Sequence, residues 1–230
     1  MTIRERIIRN DHTLPPLILI GDRFTDEEMS DRIVEAVRGG VRWVHLRDYK
    51  ARSNAFELVV PTLIARIRSE ATDAGVSVGG RPDVARHLSL HYHGRTHPDA
   101  IAEARKSLAP STVIGYSAHS SDEAAAAVES GADYVYFSPI FPTASKPEAD
   151  PVGLDALRAC CDRLGSTPVF ALGGISPENL AGCVEAGAHG VAVLSGILNA
   201  DSPARAAGAY LKAIELARRA TKLSRSATSR

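Results

Sequence analysis

The stretch Glu35–Leu46, EAVRGGVRWVHL, decides the fold of this chain. It reads as the end of an amphipathic helix, a Gly-Gly stop, and then a short apolar run. Glycine suits that stop because a helix commonly ends on a residue with left-handed backbone, which only glycine adopts freely. The same junction returns as EATDAGVSVGG from Glu70, AVESGADYVYF from Ala127 and CVEAGAHGVAVL from Cys183. A junction that recurs along the whole chain means repeated helix-then-strand units, not one helical and one β half.

Working outward, strands are expected at LILI from Leu17, VRWVHL from Val41, VSVG from Val76 and LSLHYH from Leu88. They continue at TVIGY from Thr112, DYVYF from Asp133, PVFAL from Pro168 and GVAVL from Gly190. Between them, Met29, Ile33, Ala36 and Val37 fall at helical spacing behind a Thr25-to-Glu28 capping box. Ser120 and Glu123 repeat that signature, and Ser176-Pro177 reads as an N-cap followed by proline at the first helical position. About eight strands alternating with helices is the pattern of an α/β protein of the (β/α)8 TIM-barrel class. A doubly wound open sheet is the alternative, but LILIGDRFTDEE lacks the glycine-rich turn expected after its first strand. No internal linker interrupts the pattern, so residues 1–218 are expected to form one barrel domain. Residues 219–230, basic in character, read as a disordered tail.

The chain has 230 residues, 44% hydrophobic and 23% charged, with 27 basic and 27 acidic side chains. That balance gives no global attraction to nucleic acid or to an anionic membrane. Three cysteines, two of them adjacent, make no disulfide framework and point to reduced thiols in the cytoplasm. No run is long and apolar enough for a signal peptide or membrane span. Nothing in the sequence decides between a monomer and a homo-oligomer.

In a barrel the chemistry gathers where strands end. The glycines and serine of ALGGIS and AVLSGI, around Gly174, Leu194 and Ser195, expose backbone N–H groups suited to phosphate. FPTASK adds the hydroxyls of Thr143 and Ser145 and the ammonium of Lys146. Arg47 supplies a second cation that can grip a phosphate or carboxylate through two bonds. His91 and His93 lie two apart and share one face of a strand; such a pair could ligate zinc, but no Asp, Glu or Cys follows at helpful spacing. His119 sits among small residues, with Ser117 and Ala118 leaving room for a ring, and imidazole can take and return a proton near neutral pH.

Taken in order, VHLRD, GRPDVA, LHY…HP, IGYSAHS, GADYVYFSPIFPTASK, ALGGISPENL and GVAVLSGI resemble the thiamine phosphate synthase and thiazole tautomerase superfamily of (β/α)8 barrels. The resemblance runs from about Leu17 to about Gly208. It implies a phosphorylated thiazole as ligand, with Thr143, Ser145, Lys146, Gly174 and Ser195 on its phosphate side. The synthase branch joins a pyrimidine methyl diphosphate to a thiazole phosphate and holds Mg2+ between two aspartates. Here those positions read as Gly80, beside Gly79, and Thr96, and neither can replace a carboxylate. The synthase's Gln-Leu-Arg-Glu-Lys is His45-Leu46-Arg47-Asp48-Tyr49 in this chain. The tautomerase branch matches better: it has histidine before Leu-Arg, lacks both aspartates, and uses the histidine matching His119 as acid/base. The resemblance therefore implies a cofactor-free proton shift that aromatises a carboxythiazole phosphate tautomer. Arg47 would face the carboxylate, with His45, Tyr49 and Gly79 near the ligand. The alternatives are a synthase with altered Mg2+ ligands and a non-catalytic barrel that binds a thiazole or thiamine phosphate.

Overall fold

The computed structural model describes residues 14–48, 51, 53–145 and 147–228. Eight strands run β1 Leu17–Asp22, β2 Trp43–Arg47, β3 Gly75–Gly79, β4 His91–Gly94, β5 Ile114–Ala118, β6 Tyr134–Phe137, β7 Val169–Leu172 and β8 Gly190–Val193. All neighbours are parallel, and β8 closes on β1 with Leu17 opposite Val191, making a single-domain (β/α)8 barrel. Between strands stand α1 Glu27–Arg38, α2 Ser53–Glu70, α3 Pro82–His87, α4 Asp99–Ser107, α5 Ser121–Glu129, α6 Gly153–Leu164 and α7 Leu180–Glu185. The short α8, Ser195–Leu198, and the long α9, Pro203–Thr228, follow β8. No helix among the described residues is long and apolar enough to cross a membrane.

The junction glycines have two physical reasons. Gly40, Gly131 and Gly187 take φ of +107°, +104° and +100°, where a side chain is strained. Gly75 is different: a Cβ there would meet the Trp43 ring at 2.4 Å, so this glycine admits an indole into the barrel.

Strand alternation sorts the apolar residues into two layers. Val44 and Leu46 join the large cluster between sheet and helices, whereas Trp43 joins Ile18, Ile20, Tyr134, Tyr136 and Phe170 inside the barrel. Both layers are buried, so the sheet is anchored from each face.

Three local expectations are corrected. The N-cap of α1 is Asp26, which accepts from Glu28 N at 3.0 Å, while Thr25 donates to Asp48 Oδ2 at 2.7 Å. Thr25 is drawn off because a charged acceptor at the end of β2 outcompetes a turn hydroxyl for its proton. α7 begins after Asn179, not at Pro177; Asn179 accepts from Ser176 N and donates to Gly174 O, tying the helix start to the preceding turn. Residues 219–228, expected as a disordered tail, continue α9. Ala207, Tyr210, Ile214 and Ala217 bury one stripe of that helix, and an exposed Glu215–Arg219 pair at i,i+4 spacing lies on its outer side.

Candidate active site

One pocket of about 350 Å3 opens at the C-terminal ends of the strands. Its lining brings together Arg47, Ser117, His119, Thr143, Ser145, Gly174, Leu194 and Ser195, residues far apart in the sequence. Barrel closure makes them neighbours: each ends a strand or opens the loop after it.

His119 follows β5 and is exposed. Its Nδ1 lies 2.7 Å from the carbonyl oxygen of Ser138 on the next strand's loop. A carbonyl only accepts, so Nδ1 carries a proton, and in the neutral ring Nε2 keeps the lone pair. The ring is not the cap of α5. Ser120 does that work, its Oγ accepting from Glu123 N at 3.1 Å, while the Glu123 carboxylate accepts from His119 N at 2.8 Å and from the Tyr116 hydroxyl at 2.7 Å. The imidazole is thus held at one nitrogen with the other available for proton transfer.

Across the pocket, the turn after β7 packs against the loop after β6. Ile140 N donates to Leu172 O at 2.9 Å and Phe141 N to Gly173 O at 3.1 Å. Gly174 has φ +65°, and a Cβ on it would lie 2.4 Å from Pro142 O. Only glycine lets these two segments approach, and their approach sets Thr143 and Ser145 beside the Gly174 and Ser195 backbone. Hydroxyls and glycine-turn backbone of this kind, gathered on one pocket, are groups that can bind an anion.

The opposite wall carries guanidiniums. Arg47, with Nε 3.8 Å from Asp22 Oδ1, lines the pocket together with Arg95, which the sequence reading did not select. Arg95 follows Gly94 at the end of β4, so the end-of-strand rule could have found it. A Cβ on Gly80 would come within 4.0 Å of Arg95 Nε, so cationic charge stands at the β3–β4 side of the mouth. Among the described residues no Asp or Glu lines the pocket, and no group of three or more His, Cys, Asp or Glu that could hold a metal ion occurs. The donor set here does not fit Mg2+, a hard cation that binds carboxylate oxygens.

His45 and Gly79 are corrected. His45 is 2% exposed, below the pocket, with Nδ1 3.2 Å from Ser77 Oγ. Burial, and then the Arg47 charge, lower its pKa to about 3, so it is neutral. Gly79 is buried against it, a Cβ there meeting His45 Nε2 at 3.0 Å. Two residues along a strand separate lumen from mouth: His45 lies inside, Arg47 at the opening. His91 stacks on Trp43 at 4.8 Å and accepts from Val113 N at 3.1 Å, while His93 contacts Tyr134 and Ser117. Tyr49 and Lys146 lie outside the described residues.

The model of the thiamine monophosphate synthase family (TMP-TENI) matches residues 17–197. The chain belongs to this family. It is 38% identical over 207 residues to a thiamine-phosphate synthase of Natronomonas pharaonis, covering 86% of this chain and 94% of that one. A thiamine-phosphate synthase of Geobacillus kaustophilus is 34% identical over 204 residues, covering 87% and 91%. Among solved structures, thiamine phosphate pyrophosphorylase from Pyrococcus furiosus superposes with a TM-score of 0.76 at 30% identity, covering 87% of this chain and 96% of that one.

Proposed function

We propose that this family member is a thiamine-biosynthesis enzyme whose pocket takes a thiazole phosphate, phosphate toward Gly174 and Ser195 and ring against His119. The carrying observation is that His119 and the β7–β8 cradle face one cavity of small-ligand size. The reaction has two readings. The names of the relatives favour the transferase reading, thiamine-phosphate synthesis from a pyrimidine diphosphate and the thiazole phosphate. The pocket's own chemistry favours the isomerase reading: a lining of guanidiniums without carboxylates suits a proton shift that needs no metal. In that reaction Nε2 of His119 takes a proton from one carbon of the tautomer, the C–H electron pair enters the ring, and the same nitrogen returns a proton at another carbon. Arg47 would hold the carboxylate, and Lys146 would join Thr143 and Ser145 at the phosphate.

One experiment separates them. The protein is incubated with the carboxythiazole phosphate tautomer, and separately with the two synthase substrates and Mg2+, each with and without EDTA. Aromatisation followed by ultraviolet absorbance and indifferent to EDTA supports the proton shift. Thiamine phosphate formation that EDTA abolishes supports the synthase. Tight binding of thiazole phosphate with neither turnover leaves a binding barrel.

A further inference from the structure

The closed ring of strands puts unlike groups across the mouth from one another. In a ring of eight, β4 stands opposite β8 and β2 opposite β6. Arg95, one residue past the end of β4, therefore lies across the opening from Ser195, which follows β8. Arg47, the last residue of β2, lies across from Thr143 and Ser145 in the loop after β6. The β6–β8 side offers hydroxyls and glycine-turn backbone. The β2–β4 side offers two guanidiniums, and among the described residues no carboxylate lines the pocket. The inner apolar layer reaches the same pocket through Ile20, Leu172 and Ala192. A ligand that suits all three has an apolar middle and an anion at each end.

The two guanidiniums are placed differently. Asp22 Oδ1 lies 3.8 Å from Arg47 Nε, and Asp22 is not part of the lining. That carboxylate offsets part of the charge Arg47 presents to the cavity. Arg95 brings a second cation from β4, and its guanidinium reaches the turn after β3. A Cβ built on Gly80 would have Arg95 Nε 4.0 Å away. Gly80 takes φ +68°, so this turn carries no side chain where the guanidinium passes. Two cations turned to one cavity repel, and a bound anion relieves that repulsion. Their planar forks match the two oxygens of a carboxylate.

We propose that Arg95 is a specificity-determining residue: together with Arg47 it takes a carboxylate of the ligand, on the side of the mouth opposite the phosphate, and so selects ligands anionic at both ends. The identity of the ligand rests on the proposed thiazole phosphate; the anion subsite rests on the two guanidiniums that line the pocket.

Calorimetry on the full chain compares the aromatic carboxythiazole phosphate with the same thiazole phosphate lacking its carboxylate. Wild type should bind the carboxylated ligand roughly 10-fold or more tightly, the worth of a charge-assisted hydrogen bond. Arg95→Gln should remove most of that preference and leave the other ligand nearly unaffected. No preference in wild type, or an equal loss for both ligands in the variant, overturns the proposal. A pair of variants at Gly80 checks the position. Asp and Asn tolerate positive φ better than other side chains and strain the turn alike, but only Gly80→Asp sets a carboxylate beside Arg95. Gly80→Asp should cost the carboxylated ligand as much as Arg95→Gln does, and Gly80→Asn far less; equal losses overturn the proposal. If wild type binds neither thiazole, the proposed function fails, and inorganic diphosphate then reads the subsite alone. Weaker diphosphate binding by Arg95→Gln upholds the subsite, whereas equal binding, or none by wild type, overturns it too.

Discussion

The lumen and the mouth of this barrel use the same residue type for opposite ends. His45, His91 and His93 lie inside, packed on Trp43 and on one another, and burial is the largest cause depressing each pKa. His119 lies at the mouth, exposed, held at Nδ1 alone. An imidazole sealed from water cannot easily gain charge, so it serves as a neutral donor and acceptor. One at the edge of a cavity, with a fixed tautomer, can move protons. Depth in the barrel, not residue type, separates the two roles.

Acid breaks the comparison from the lumen side. The folded-state pKa values are about 3 for His45, about 4 for His91 and well below 6.5 for His93, against about 6.5 in the unfolded chain. The stability these neutral rings lend is therefore fully present above about pH 6.5. It is lost as pH falls toward the folded values, because only the unfolded state takes up the protons. His45 and His91, with folded values near 3 and 4, each contribute about 1.4 kcal/mol per pH unit, so these two together remove about 3 kcal/mol per unit, and His93 acts in the same direction. Circular dichroism should find cooperative unfolding as pH falls below about 6.5, coupled to uptake of about two protons or more. A chain still folded at pH 3 contradicts the neutral lumen.

From the mouth side, His119→Ala should lower turnover roughly 10²- to 10⁴-fold while leaving product affinity within a few-fold and the melting temperature unchanged. Wild type should also place solvent deuterium in the product, and the variant should not. Near-normal turnover by the variant moves proton transfer to another group.

A smaller effect is expected at the cradle. Gly174→Ala forces a side chain into φ +65° and into the Pro142 carbonyl. Calorimetry should read about tenfold weaker binding of thiazole phosphate, consistent with a strain of ~1–3 kcal/mol, and far less loss for the dephosphorylated alcohol. Equal loss for both ligands would mean that the turn supports the whole pocket and not the phosphate.

The smallest change is predicted for His45→Gln. Glutamine can keep one hydrogen bond to Ser77, so stability should move by about 1 kcal/mol or less at pH 7 and turnover by no more than a few-fold. The acid transition, however, should lose one of its protons. A large loss of turnover would place His45 in contact with the ligand after all.

Much of this protein is written locally. The helix–glycine–strand junctions, repeated from Glu35 to Leu194, determine alternating elements, because backbone preference and side-chain period act within a few residues. Alternation with a parallel sheet gathers strand ends at one face, which is why Arg47, Ser117, His119, Thr143, Ser145, Gly174 and Ser195, which line one pocket, could be grouped from the sequence. Cap identity was less so: Thr25 and Ser176 have the right chemistry, but Asp48 and Asn179, brought near by the fold, compete for the bonds. Depth was not legible at all. Arg95 could have been chosen by the same rule as Arg47, and His45 shares the inward face with it. Which inward residue reaches the opening depends on the stagger between neighbouring strands. His45 lies opposite Ser77, Ser77 opposite His91, and Gly79 opposite His93. That stagger exists only once the sheet has tilted and closed, so only the tertiary structure decided which histidines lie in the barrel interior and which one lines the pocket.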